Sequence, residues 1–224
     1  MTRGLDSKRR GPAKGEARRA VVVLHGYGAD GADLLGLADP LGTHLPDTVF
    51  LAPDAPEQSA VNPLGRQWFP IPWIDGSDPV ESEAAMARAA ADLDAYLDGM
   101  LEEEGLAPGQ VVILGFSQGT MMALEVALRR PTPFAGLVCF SGRLLRPETL
   151  EDEIAARPPV LLIHGDADDV VPPSSMPDAA QALQAAGIDV YAHVMKGTGH
   201  GIAPDGLSVA LAFMRERLGL DSAA

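Results

Sequence analysis

The sequence predicts an α/β fold, a doubly wound and mostly parallel sheet with helices on both faces. Two observations carry that expectation. Short β-rich runs alternate with stretches whose apolar residues recur at helical spacing, from about residue 20 to residue 218, and such alternation builds βαβ units. The runs are also nearly continuous in apolar residues, as central strands covered on both faces require. A composition of 46% hydrophobic residues in a chain of 224 supplies the core for one such domain.

Taken in order, residues 1–20 hold seven Lys/Arg against two Asp/Glu, a net of +5 in a chain whose total is −14. "RRGPAKGEARR" reads as a polar edge hairpin, so residues 1–19 are set apart from a single catalytic domain over 20–220. Strands are expected at "AVVVLHG" (20–26), "TVFLAP" (48–53), "QVVILG" (110–115), "GLVCFSG" (136–142), "PPVLLIHG" (158–165) and "VYAHVM" (190–195). Asp78-Pro79-Val80-Glu81 has the pattern of a capping box with proline at the first helical position. Met86, Ala90, Leu93, Leu97 and Met100 then mark one apolar face, and Gly105 stops the helix. Further helices are expected from Gln118 to Arg129, Pro147 to Ala156, Pro177 to Ala186, and from Pro204 to Gly219 with Leu207, Leu211, Met214 and Leu218 as the stripe. Between "GLVCFSG" and "PPVLLIHG" only Arg143 to Arg157 intervene, room for a short helix and no cap domain, so cover is expected from loops, chiefly the Trp68–Trp73 region and the chain around Tyr27. The stretch Asp54 to Ser77, which carries both tryptophans, shows no periodicity and reads as a packed functional loop.

Charge and composition exclude some functions. A net charge of −14 argues against nucleic acid, whose phosphates need concentrated positive charge. No apolar run is long enough to span a bilayer, and no apolar h-region follows the basic residues near the start, so no signal peptide is expected. The single cysteine, Cys139, lies in "GLVCF" and reads as a small buried hydrophobe, which suits the cytoplasm.

Chemistry concentrates at "GFSQG". Gly115-Phe116-Ser117-Gln118-Gly119 matches G-x-S-x-G, at the end of an expected strand and the start of an expected helix. A structural turn capped by Ser117 is the plain alternative. The sharper reading is a strained turn that presents the Ser117 hydroxyl to a base. Serine then needs a histidine and an acid, in the chain order serine, acid, histidine. His193 sits inside a strand; His200 lies in the glycine-rich "KGTGHGIAP", where an imidazole can swing over the site. For the acid, "HGDADDVVP" offers Asp166, Asp168 and Asp169, and spacing alone leaves the three open. Oxyanion donors are expected from the Gln118 amide and, in "LHGYGADG", the Tyr27 amide. His25 and His164, each before a glycine at a strand end, read as structural.

"LHGYGADG", "GFSQGT", "HGDADDVVP" and "GTGHGI", in this order and spacing, resemble the phospholipase/carboxylesterase family of α/β-hydrolases, to which acyl-protein thioesterases belong. The resemblance implies the α/β-hydrolase fold, with Ser117 as nucleophile, His200 as base and Asp168 as the acid. It implies Tyr27 and Gln118 as oxyanion donors, although many members carry leucine where Tyr27 stands. "GRQWFP" resembles the loop bordering the family's acyl pocket, which makes Trp68 and Phe69 candidate substrate contacts. Neither metal nor organic cofactor is implied. The expected substrate is a small-molecule ester of short to medium acyl chain. An acylated protein or a lysolipid is the alternative for the same residues, a perhydrolase a more distant one, and a non-catalytic binding protein the rival from another class.

Overall fold

The computed structural model describes residues 2–221. Its core is a seven-stranded sheet in which the fourth position onward follows chain order. The strands are β1 (Ser7–Arg10), β2 (Arg19–Leu24), β3 (Thr48–Pro53), β6 (Val111–Phe116), β7 (Gly136–Phe140), β8 (Val160–Gly165) and β9 (Val190–Met195). A separate two-stranded ribbon, β4 (Glu57–Gln58) and β5 (Arg66–Gln67), lies in the aperiodic stretch. Spatial order in the main sheet is β1-β3-β2-β6-β7-β8-β9, and every pairing but β1 with β3 is parallel. This is the doubly wound, mostly parallel architecture that the apolar runs predict.

The helices are α1 (Gly31–Leu35), α2 (Ala38–Gly42), α3 (Pro72–Asp75), α4 (Pro79–Glu104), α5 (Gln118–Ala127), α6 (Leu150–Glu153), α7 (Ser175–Ala185) and α8 (Pro204–Arg217). Strand side chains alternate between two cores, as a period of two dictates. Val22, Leu24, Ile113, Leu137 and Leu162 face α4, α5 and α7, whereas Val21, Val23, Leu114, Phe140 and Ile163 face α1, α2 and α8. Helix α4 begins as its sequence demands: Asp78 caps the Val80 and Glu81 amides, Pro79 takes the first turn, and Gly105 ends it at φ 66°. Between β7 and β8 the chain makes only a 3-10 turn at Pro147–Thr149 and the one-turn α6. No cap domain covers the strand ends, so loops alone border them.

Three expectations change. The N-terminal segment does reach the sheet edge through β1, but β1 pairs antiparallel with β3 and does not form the expected hairpin. Long-range charge fixes that route. Arg3 binds Asp92, and Arg9 binds Glu104, two carboxylates buried on the apolar face of α4. In α8 the buried residues are Gly206, Ala210, Phe213 and Met214; of the expected stripe Met214 and Leu218 are buried, whereas Leu207 and Leu211 only pack against the edge of that core. A Cβ on Gly206 would lie 2.4 Å from the Met195 sulfur, so small residues allow α8 to sit close. The expected helix Pro147–Ala156 shrinks to the 3-10 turn and α6. The Arg146 and Arg129 guanidiniums hold this connection to the buried Glu125 and to Glu153.

Candidate active site

Ser117 lies between β6 and α5 with φ 53° and ψ −115°, a region that costs a non-glycine residue on the order of 1–3 kcal/mol. The surroundings over-determine it. Its amide donates to the Phe140 carbonyl at 2.9 Å, and the Thr120 hydroxyl lies 2.8 Å from both the Gly115 and Phe140 carbonyls. A Cβ on Gly115 would fall 2.5 Å from the Thr120 nitrogen, and one on Gly119 1.9 Å from the Leu24 carbonyl oxygen. Only glycine lets the turn close this tightly.

His200 stands in the loop from β9 to α8. Its Nε2 lies 3.0 Å from the Ser117 hydroxyl and its Nδ1 2.8 Å from Asp168 Oδ2. Because the carboxylate accepts at Nδ1, the free electron pair at Nε2 faces Ser117. The Phe116 ring packs 4.9 Å, centroid to centroid, from the imidazole. Asp168 follows β8 with a fully buried side chain. Burial raises its pKa, but donation from His200 and from the Val171 and Val170 amides outweighs that and holds the carboxyl below its ordinary value. His164 Nε2 lies 2.9 Å from the Val171 carbonyl and 3.2 Å from Asp168 Oδ2. A carbonyl only accepts, so that nitrogen carries the proton and donates it to Val171, with the Asp168 carboxylate alongside. Of the three open candidates, Asp166 and Asp169 are exposed, and Asp166 is bound to the Gly197 amide. His193 pairs with Asp205 on the far edge of the sheet, away from Ser117.

The Gln118 amide directly follows the serine in the chain, and the Tyr27 amide belongs to a residue lining the same groove. A Cβ on Gly26 would lie 3.3 Å from the Ser117 Cβ, which fixes how closely that loop approaches. Among the described residues neither amide donates to a protein carbonyl. The Tyr27 hydroxyl donates to Asp75 at 2.8 Å. Burial and then that carboxylate push the phenol well up, so it remains a donor.

Trp68 and Phe69 lie elsewhere than expected. Trp68 is 0% exposed and Phe69 5%, both in the core that α4 and α5 cover, and neither lines the groove at the serine. Their backbone is gripped by the Gln118 side chain, which accepts from the Trp68 amide at 2.9 Å and donates to the Phe69 carbonyl at 2.8 Å. The Trp68 indole donates to the His25 carbonyl at 3.0 Å. The tryptophan that borders the site is Trp73, 63% exposed on α3. With Tyr27, Ile71, Ile74, Met121, Val170 and Val171 it lines an apolar groove of about 430 Å³ that contains Ser117 and His200. The loops expected as cover, the Trp68–Trp73 region and the chain around Tyr27, supply Ile71, Trp73 and Tyr27 to this groove. Sequence reasoning missed Ile74, Met121, Val170 and Val171, whose spacing carries no signal of a wall.

The chain and its fold have counterparts among known proteins. A family model described as phospholipase/carboxylesterase matches residues 11–218. Acyl-protein thioesterase 1 of Saccharomyces cerevisiae is 31% identical over 215 residues, covering 90% of this chain and 94% of that protein. Esterase YpfH of Escherichia coli is 26% identical over 202 residues, covering 89% and 83%. The crystal structure of esterase PE8 superposes with a TM-score of 0.90 at 44% identity, covering 96% of this chain and all of that one. With a family match across most of its length, the chain belongs to the phospholipase/carboxylesterase family of α/β-hydrolases and is an enzyme that hydrolyses esters.

Proposed function

We propose that the chain is a serine carboxylesterase working through an acyl-enzyme on Ser117. The observation that carries the reading is the unbroken line from the Ser117 hydroxyl to His200 at 3.0 Å and on to Asp168 at 2.8 Å, with two unspent amides beside it. His200 takes the Ser117 proton as Oγ attacks the ester carbonyl. The Tyr27 and Gln118 amides receive the developing oxyanion. His200 returns the proton to the leaving alcohol, then activates water to hydrolyse the acyl-serine. Asp168 holds the imidazole tautomer and stabilises the imidazolium. No step calls for a metal or an organic cofactor.

The uncapped groove supports a preference on the acyl side. Its apolar wall has room for a short to medium chain, about C2 to C8, where each methylene is worth at most about 1–3 kcal/mol. The alcohol stays at the open mouth. That openness also suits a second reading, a thioesterase or lysophospholipase with the same residues, which the names of the thioesterase relatives favour. A cytoplasmic place suits the single, buried Cys139; among the described residues no helix is long and apolar enough to cross a membrane. The test compares kcat/KM along two series, one varying the acyl chain and one the alcohol or thiol. The acyl series is expected to vary more steeply. A steeper alcohol series would overturn the open-mouth reading, and a thioester preferred many-fold over its matched ester would select the second one.

A further inference from the structure

Arg143 stands in the groove wall with no part in the proposed mechanism. It lies just past the end of β7, and its guanidinium carbon sits 5.3 Å from the centre of the Trp73 ring. The contact is one of a cation over an aromatic ring. It uses none of the guanidinium's N–H donors in a hydrogen bond to an acceptor oxygen. Among the described residues the group faces that ring and has no protein acceptor in hydrogen-bonding range. Its neighbours in the fold differ: Arg129, Arg130 and Arg146 are all paired to carboxylates.

The position is informative too. Arg143 borders the groove that holds Ser117 and His200, and also an adjoining cleft of about 370 Å³ beside Leu144, Leu145 and Ser175. Glu148 and Asp178 line that second cleft, so it repels anions, and the total charge of −14 repels them in general. The half-buried guanidinium is the local exception, stationed within the length of a small substrate from the nucleophile.

We propose that Arg143 is a specificity-determining residue that reads an anionic oxygen group, a carboxylate or a phosphate, carried by the ester beyond the bond that is cut. The inference rests on the reading of Ser117 as nucleophile. A planar fork of N–H donors suits two oxygens of one anion.

The experiment uses two matched pairs of esters. p-Nitrophenyl pentanoate against mono-p-nitrophenyl glutarate places the anion on the acyl side. Monobutyrin against 1-butyrylglycerol 3-phosphate places it on the alcohol side. In at least one pair, Arg143→Met is expected to lower kcat/KM for the anionic member roughly 10- to 100-fold, mostly through KM, the range set by a hydrogen bond to a charged group. The neutral member should stay within about twofold, because it carries no anion for the guanidinium to bind in either the ground or the transition state. Arg143→Lys should recover only part of the loss, because it keeps the charge and not the fork. The affected pair identifies which end of the substrate carries the anion. Equal changes in both members of both pairs would overturn the proposal and make Arg143 a plain piece of wall. Turnover of the neutral esters judges the underlying reading separately: if Ser117→Ala preserves it, the esterase reading fails and this inference falls with it.

Discussion

The turn that carries Ser117 and the stretch 54–77 that walls the groove meet at one side chain, Gln118, yet they are specified in opposite ways. The turn is built by its neighbours in sequence. Gly115 and Gly119 permit the approach, the strand before and the helix after fix the direction, and Ser117 is left at φ 53°. The stretch 54–77 has little regular structure of its own and is held from outside. Gln118 and His25 grip Trp68, the Ser82 hydroxyl donates to the Pro70 carbonyl at 2.6 Å, and Asp75 accepts from Tyr27. The difference teaches how the labour divides. A reacting atom must be placed to a fraction of an ångström, which a short, strained, locally dictated turn can do. A wall that selects substrates need only be anchored at a few points, and its free residues can vary.

The largest expected effect comes from breaking the turn's side of that comparison. Ser117→Ala should keep the fold and melting temperature and lose on the order of 10⁶ in kcat, the scale of triad loss in other serine hydrolases. Near-wild-type turnover of p-nitrophenyl acetate by a folded Ser117→Ala protein would return the turn to a merely structural one. Asp168→Asn follows, at roughly 10⁴ in kcat, since an amide facing Nδ1 favours the wrong imidazole tautomer. Asp166→Asn and Asp169→Asn, both exposed, should cost far less. A worse effect at Asp169 would mean the carboxylate that serves His200 in solution is not the one hydrogen-bonded to it here.

These two regions also mark how far the sequence could be read. The strands, α4 with its caps and the short β7–β8 connection were legible because each is governed by periodicity or by residues within a turn of one another. The pairing of Asp168 with His200 was not legible from spacing, which left three aspartates equal; burial and the amides of Val170 and Val171 distinguish them in the fold. Trp68 misled because a tryptophan near a site can face either way. Its orientation is decided by the His25 carbonyl, 43 residues distant in sequence. Asp92 and Glu104 on the buried face of α4 were invisible for the same reason, since their partners Arg3 and Arg9 lie 89 and 95 residues away.

The wall yields a sharper test. Trp68→Ala removes a fully buried indole and its bond to the His25 carbonyl, so unfolding free energy should fall by about 3–5 kcal/mol. Trp73→Ala should leave stability within about 0.5 kcal/mol, as for other exposed positions, while lowering kcat/KM for longer acyl chains. Thermal or urea unfolding of both variants, with kinetics on the second, separates anchor from wall. If Trp68→Ala unfolded like the wild type, the stretch would not be held from outside as described.

The smallest effect concerns the anchor itself. His25 is 0% exposed, and its Nε2 lies 2.9 Å from the Ala55 amide. An amide can only donate, so Nε2 accepts and the proton sits on Nδ1, 2.8 Å from the Gly26 carbonyl. Protonating Nε2 would break the Ala55 bond and bury a charge. Burial accordingly lowers the His25 pKa from its ordinary 6.5, against the opposing pull of the Gly26 carbonyl and of Asp54, Asp30 and Asp33. The unfolded chain therefore takes up a proton near pH 6.5 that the native state refuses, so this share of stability is complete above that pH and declines as pH falls below it. One proton contributes up to about 1.4 kcal/mol per pH unit. The depressed carboxyls of Asp54 and Asp168 do not confuse the window, because their share is lost only as pH falls below the ordinary 3.8. Urea midpoints of the wild type should drop between pH 7 and pH 5, and His25→Gln, which cannot take up that proton, should show a shallower drop from a lower start. Parallel curves would mean that His25 does not couple the groove wall to pH, and that the wall's anchoring rests on Gln118 and Asp75 instead.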